Sequence, residues 1–155
     1  MIIEIPGRNT LEIQHIIFDY NGTIALDGKV IEGVAEKIQA LSDRIDFHVI
    51  TADTYGTAEK ELEGVPCQVI NLSKSNEFKT KTDYLAFLGK EHCLSVGNGF
   101  NDKALLKQSI LGIALIQDEW CCTETLISPD IVCKSLMYVF SFIEKPNRIK
   151  ATLRV

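Results

Sequence analysis

The stretch Ile16-Ile17-Phe18-Asp19-Tyr20-Asn21-Gly22-Thr23 constrains this chain more than any other. Three large apolar side chains in a row suit a strand buried on both faces, and the run ends abruptly in an acid and a turn. Open α/β sheets bind their ligands in the crevice beyond the carboxyl ends of such strands. Asp19 therefore stands where a working residue would stand.

The same pattern recurs along the chain. Residues 1–14 read as a short hairpin turning at Pro6-Gly7-Arg8-Asn9, because proline fixes one turn residue and glycine frees the next. The core strand is expected over His15 to Asp19, followed by a turn at Asp27-Gly28 and a helix from Glu32 to Leu41. Further strands are expected at Phe47–Thr51, within 65–72, at Leu94–Val96, at Ile113–Ile116 and at Ile131–Cys133. Between them the apolar spacing predicts helices over 54–62, 82–88 and the segment before Gly112, with a helical turn at 123–127. An apolar helix, Leu136 to Ile143, packs in the core or against another subunit; Pro146 interrupts it, and a short basic tail, 148–154, ends the chain.

Short strands alternating with helices define an α/β fold, a three-layer sandwich with a mostly parallel central sheet. One domain over residues 1–155 is expected, with no internal repeat and no linker.

With 16 basic and 21 acidic residues the net charge is -5, and the basic ones are scattered. That argues against nucleic acid, which needs a concentrated basic footprint. No secretory leader pattern opens the chain, and its longest apolar run in the second half, Ile110 to Ile116, is too short for a bilayer. A cytoplasmic protein with no membrane contact is expected. The five cysteines are expected to be reduced thiols.

Three strand ends carry polar groups: Asp19 to Thr23, Thr51, and Gly97 to Asp102. A lysine near the start of the following helix, Lys79 or Lys81, is the fourth component. In a parallel sheet these ends share one edge and converge on one crevice. Asp19, Asp102 and Asn98 offer the oxygen ligands Mg²⁺ requires. Thr51 and the backbone N–H groups around Asn21 to Thr23 suit phosphoryl oxygens, and a lysine offsets the charge. A carboxylate can then act as nucleophile, splitting phosphoryl transfer into two easier steps.

At these positions the chain resembles the haloacid dehalogenase (HAD) superfamily over residues 15–154. Asp19-Tyr20-Asn21-Gly22-Thr23 is similar to its first motif, Thr51 after Phe47-His48-Val49-Ile50 to its second, and Lys81 to its third. Gly97-Asn98-Gly99-Phe100-Asn101-Asp102 is similar to its fourth. The resemblance is closest to the phosphorylation domain of P-type ATPases and to small soluble proteins like that domain alone. It implies that Asp19 is the phosphorylated nucleophile and a metal ligand. It also implies the Asn21 backbone carbonyl as a second ligand, with Asn98 and Asp102 contributing directly or through water. Thr51 would bind phosphate and Lys81 would hold nucleophile and phosphate together. Lys81 is preferred to Lys79 because Lys-Thr-Asp-Tyr-Leu-Ala-Phe-Leu-Gly resembles the third-motif helix.

Two departures weaken the acidity of the site. Hydrolytic members usually carry an aspartate where this chain has Asn21, and an amide can neither protonate a leaving group nor activate water. Asn98 stands where the family usually has aspartate, removing a charge from the metal site. No cap fits, because the 31 residues between Asp19 and Thr51 and the 29 between Thr51 and Lys81 are already used by core elements. The expectation is a Mg²⁺-dependent phosphohydrolase or phosphotransferase of low intrinsic activity, acting on a phosphorylated small molecule or phosphoprotein. An open site also suits a homo-oligomer, in which a neighbouring subunit covers it. The rival expectation is a non-catalytic regulatory or interaction protein that retains a weak metal and phosphate pocket.

Overall fold

The computed structural model describes residues 1–155. Ten short strands and seven α-helices follow one another along the chain. They are β1 (Ile2–Ile3), β2 (Leu11–Glu12), β3 (His15–Asp19), β4 (Ala25–Leu26), β5 (Lys29–Val30), α1 (Val34–Leu41), β6 (Asp46–Thr51), α2 (Thr57–Glu61) and β7 (Gln68–Asn71). Then come α3 (Lys81–Leu88), β8 (Cys93–Gly97), α4 (Lys103–Gln108), β9 (Leu111–Leu115), α5 (Thr123–Leu126), β10 (Ile131–Cys133), α6 (Leu136–Glu144) and α7 (Asn147–Leu153).

Six strands form one parallel sheet in the order β10-β9-β8-β3-β6-β7. The chain starts this sheet at its centre, runs outward through β6 and β7, and returns to β8 on the other side of β3. Strand order thus reverses between β3 and β8, the place where an open α/β sheet leaves a crevice at its carboxyl edge.

Alternation along each strand divides the core. Ile16, Phe18, Phe47, Val49, Leu94 and Val96 face a large apolar layer that includes α1, α6 and α7. Ile17, Ile50 and Cys93 face a smaller layer built with Tyr84, Leu85 and Leu105 from α3 and α4. The near-continuous apolarity of β3 follows from burial on both faces.

Two expectations need correction, and a third, the turn at Asp27-Gly28, is met and gains detail. Gly112 lies inside β9 instead of ending a helix; a Cβ there would sit 2.2 Å from the Leu106 carbonyl oxygen, so glycine lets α4 pack directly on the strand. The basic tail is the helix α7, started by Pro146 and anchored by buried Ile149 and Leu153 four residues apart. The Asp27-Gly28 turn is the tip of a β4–β5 hairpin: both residues have positive φ, 51° and 77°, as a two-residue hairpin turn of primed type requires. No inserted domain covers the carboxyl edge of the sheet, and no helix is long and apolar enough to cross a membrane.

Candidate active site

The carboxyl ends of β3, β6 and β8 meet at an open cleft of about 490 Å³. Asp19, Asn21, Thr51 and Asn98 line it, together with Asp53, Tyr55, Asn101 and Glu119. Sequence-distant residues are thus brought to one edge, as the strand pattern implied.

Lys81 reaches this edge from below. Thr80 caps α3 by accepting the Asp83 N–H at 3.1 Å, while the Asp83 carboxylate accepts the Thr80 N–H at 2.8 Å. This capping box fixes Lys81 at the first helical position. Its ammonium bonds the Asp19 carboxylate and sits 2.5 Å from Asp102 Oδ1. Lys79, two residues earlier, is exposed and donates to the Ser75 carbonyl at 3.2 Å. Of the two lysines, Lys81 is the one that reaches this edge.

Asp102 lies behind the cleft and is fully buried. Its Oδ1 faces Lys81, and its Oδ2 accepts the N–H groups of Asn98 at 2.9 Å and Gly99 at 2.8 Å. Both oxygens are engaged, so this carboxylate holds the lysine and shapes the turn after β8, and it does not line the cleft.

Two carboxylates share one ammonium in a nearly dry place. Burial pushes the Asp19 carboxyl up to about 7; Lys81 pulls it back and Asp102 pushes it further up. For Lys81, burial disfavours the charge, but Asp19 and Asp102 outweigh it and the net direction is up. The lysine stays charged, and Asp19 gains from any further cation that faces its remaining oxygen.

The loop after β3 turns tightly. Gly22 has φ 73°, and a Cβ on it would lie 2.2 Å from Asn98 Nδ2. Only glycine fits. Its N–H donates to the Ala25 carbonyl at 2.8 Å and the Thr23 N–H to the Tyr20 carbonyl at 3.3 Å. These two amides are thus consumed within the turn and are not free for a phosphoryl group, contrary to the sequence expectation. Asn21 remains: it is exposed, and neither its N–H nor its carbonyl has a protein partner.

Thr51 is 2% exposed, and its hydroxyl accepts the Asp53 N–H at 3.0 Å. Thr51 lines the cleft, and its hydroxyl proton has no protein acceptor. The Asp53 carboxylate accepts the N–H groups of Tyr55 at 2.8 Å and Ala58 at 3.2 Å, and that of Thr57. It is spent on organising the loop before α2.

The segment after β9 carries no motif that marks it in the sequence, although it too is a polar run after an apolar strand. Gln117 Nε2 donates to the Gly22 carbonyl at 3.2 Å and the Thr23 carbonyl at 3.0 Å, and its Oε1 accepts the Leu136 N–H at 2.7 Å. Asn98 Nδ2 donates to the Trp120 carbonyl at 3.0 Å, and its Oδ1 accepts the Thr23 hydroxyl at 3.3 Å. These partners fix which end of the amide is which. Residues 117–122 therefore form a strap across the loop after β3, and Trp120 takes a left-handed φ of 57° within it.

The donor set tests whether a metal fits. Asp19, Asn21 with its free carbonyl, and Asn98, whose Oδ1 also accepts the Thr23 hydroxyl, bring hard oxygen donors to the cleft, but no cluster of three His, Cys, Asp or Glu side chains is placed to hold a metal ion. That set fits a Mg²⁺-like ion that keeps several waters, and does not fit a dedicated protein cage.

The architecture, a parallel sheet in this strand order, is the fold shared by solved structures of HAD-superfamily hydrolases. 3-Deoxy-D-manno-octulosonate 8-phosphate phosphatase from Moraxella catarrhalis, in complex with magnesium, phosphate and KDO, superposes with a TM-score of 0.68 at 18% identity, covering 92% of this chain and 94% of that one. The cobalt-bound deoxy-D-mannose-octulosonate 8-phosphate phosphatase YrbI from Haemophilus influenzae gives 0.69 at 13% identity, over 93% and 94%. A haloacid dehalogenase-like family hydrolase from Streptococcus pneumoniae gives 0.62 at 12% identity, over 84% and 98%.

By sequence, the chain belongs to one family with the uncharacterized protein MJ0072 of Methanocaldococcus jannaschii, 49% identical over 39 residues, which are 25% of this chain and 89% of that protein. Uncharacterized protein MJ0073 of the same organism is 43% identical over 61 residues, 39% of this chain and 66% of its own length. No protein-family model matches the chain.

Proposed function

We propose that this protein is a slow, divalent-metal-dependent phosphohydrolase or phosphotransferase that works through an aspartyl phosphate on Asp19. The observation that carries the reading is the buried Asp19–Lys81–Asp102 arrangement at the sheet's switch point, with one face of Asp19 turned to an open, oxygen-lined cleft. A structural ion pair would need no such cleft.

Asp19 Oδ attacks the phosphorus of a bound phosphate ester as the bond to the ester oxygen breaks. Water then attacks the acyl phosphate, releasing phosphate and the free carboxylate. Lys81 holds Asp19 in place and offsets phosphoryl charge, and the Thr51 hydroxyl donates to a phosphoryl oxygen. Asp102 positions Lys81 and the Asn98-Gly99 turn. Asp19, the Asn21 carbonyl and Asn98 Oδ1 would hold Mg²⁺, which when bound neutralises charge on the transferring group. Asn21 cannot move a proton, and a site that relied on this position alone would turn over about 10²- to 10⁴-fold more slowly than one with an acid there.

The uncapped cleft suits either a phosphorylated small molecule or a phosphoprotein, and a second copy of the chain could cover it. The five free thiols suit a reducing compartment such as the cytoplasm. Two amides at Asn21 and Asn98 favour one rival, a binding protein that holds metal and phosphate without turnover.

Phosphate release from a panel of phosphorylated compounds with Mg²⁺, beside the Asp19→Asn variant, separates the two. Release by the wild type and loss of at least about 10⁴-fold in the variant are expected. Equal release by both would contradict the mechanism, and no release by either, with phosphate still bound, would favour the rival.

A further inference from the structure

The cleft contains three carboxylates: Asp19, Asp53 and Glu119. Asp19 is the nucleophile in the proposed reaction, and Asp53 is saturated by three backbone N–H groups. Glu119 differs from both. Its Oε1 accepts the Asp27 N–H at 2.8 Å, and its Oε2 has no protein partner. It also lines the adjoining groove of about 680 Å³ beneath the β4–β5 hairpin, so it stands at the junction of the two hollows. A group leaving the phosphorus at Asp19 and extending under the hairpin would pass it.

The strap presents this side chain firmly. Gln117 ties its start to the Gly22 and Thr23 carbonyls, the Asn98 amide holds the Trp120 carbonyl, and the Cys122 N–H donates to the Asn98 carbonyl at 2.9 Å. The Asp27 N–H fixes one oxygen of Glu119 and leaves the other without a protein partner at the junction of the two hollows. Such anchoring by neighbouring hydrogen bonds is what keeps a proton-transfer group within reach of a reacting atom.

We infer that Glu119 is the general acid and base of this site, supplying from the strap the proton transfers that Asn21 cannot. In hydrolysis of the acyl phosphate the Glu119 carboxylate takes a proton from water as its oxygen bonds to phosphorus and the bond to Asp19 breaks. The protonated carboxyl then delivers that proton to the next ester oxygen as it leaves, and the cycle closes with no other co-reactant. The inference rests on the proposed phosphoryl chemistry at Asp19.

The test compares wild type, Glu119→Gln and Glu119→Gln/Asn21→Asp on two esters with Mg²⁺. An alkyl phosphate leaves as a strongly basic alkoxide and needs a proton, whereas p-nitrophenyl phosphate does not. Glu119→Gln should slow formation of the phosphoenzyme from the alkyl ester by about 10²-fold, the low end for a lost general acid. With p-nitrophenyl phosphate it should leave that step within a few-fold and instead let the phosphoenzyme accumulate, because release of phosphate is slowed. Asn21→Asp should restore much of the loss. A purely structural role for Glu119 would depress both esters alike and resist that rescue, and this outcome, or unchanged kinetics, would overturn the inference while leaving Asp19 as nucleophile. If the wild type turns over neither ester, the reading of the site fails and this inference with it.

Discussion

The same strands, β3 and β6, carry a polar cluster at each end of the sheet, and the two differ in kind. Near the amino end, the rings of His15 and His48 approach to 3.1 Å, His48 Nδ1 lies 2.8 Å from the Tyr84 hydroxyl, and that hydroxyl donates to Gln68 Oε1 at 3.3 Å. One direction of donation, from His15 through His48 and Tyr84 to Gln68, satisfies every bond of this chain, with the Asp46 carboxylate 3.4 Å from His15 Nδ1. At the carboxyl end, two aspartates share one lysine, and one of them still faces a cleft. The first cluster is closed and stabilises the smaller apolar layer. The second remains short of positive charge beside an open cleft, and that asymmetry is what supports placing the proposed chemistry there.

Removing Lys81 should sharpen the contrast most. Lys81→Met leaves two buried carboxylates facing each other and should cost about 3–5 kcal/mol in urea unfolding. Adding Asp102→Asn to that variant should recover part of the loss; no recovery would mean that charge is not what Lys81 balances.

The neutral cluster should respond to acid instead. Burial, then His15, lowers the His48 pKa to about 4, with Asp46 opposing, against about 6.5 in the unfolded chain. The unfolded state therefore binds the proton first. The contribution is fully present above about pH 6.5 and is lost as pH falls toward 4, amounting to roughly 3 kcal/mol. Unfolding of the wild type beside His48→Gln across that window should show the wild type losing stability faster by about that amount. Parallel curves would mean that His48 is not held neutral.

Lys79→Ala should change stability by less than about 0.5 kcal/mol and leave phosphate release within two-fold, because an exposed lysine balances no buried charge. A larger loss of activity than Lys81→Met would reverse their assignment.

Much of this was legible in the chain. The apolar runs of β3 and β6 end at Asp19 and Thr51, and burial on both faces leaves that pattern little freedom. Lys81 could be preferred to Lys79 on resemblance alone, but only the Thr80–Asp83 capping box explains why one lysine turns inward. Local signals hid other features. Pro146 reads equally as a helix breaker or a helix start, and the choice depends on whether Ile149 and Leu153 find a core to pack on. Gly112 reads as a helix stop because its real cause, the approach of the Leu106 carbonyl, is a tertiary contact. Glu119 was missed because the strap gains its meaning from hydrogen bonds to loops some 20 to 95 residues away in sequence.

The most direct test of the account is acid-quenched peptide mass mapping of the wild type after brief exposure to p-nitrophenyl phosphate and Mg²⁺. A single phosphoryl adduct on the peptide containing Asp19, reversed by hydroxylamine and absent from Asp19→Asn, is the result expected for an acyl phosphate. Phosphate release that proceeds with no adduct on that peptide, and persists in Asp19→Asn, would contradict it.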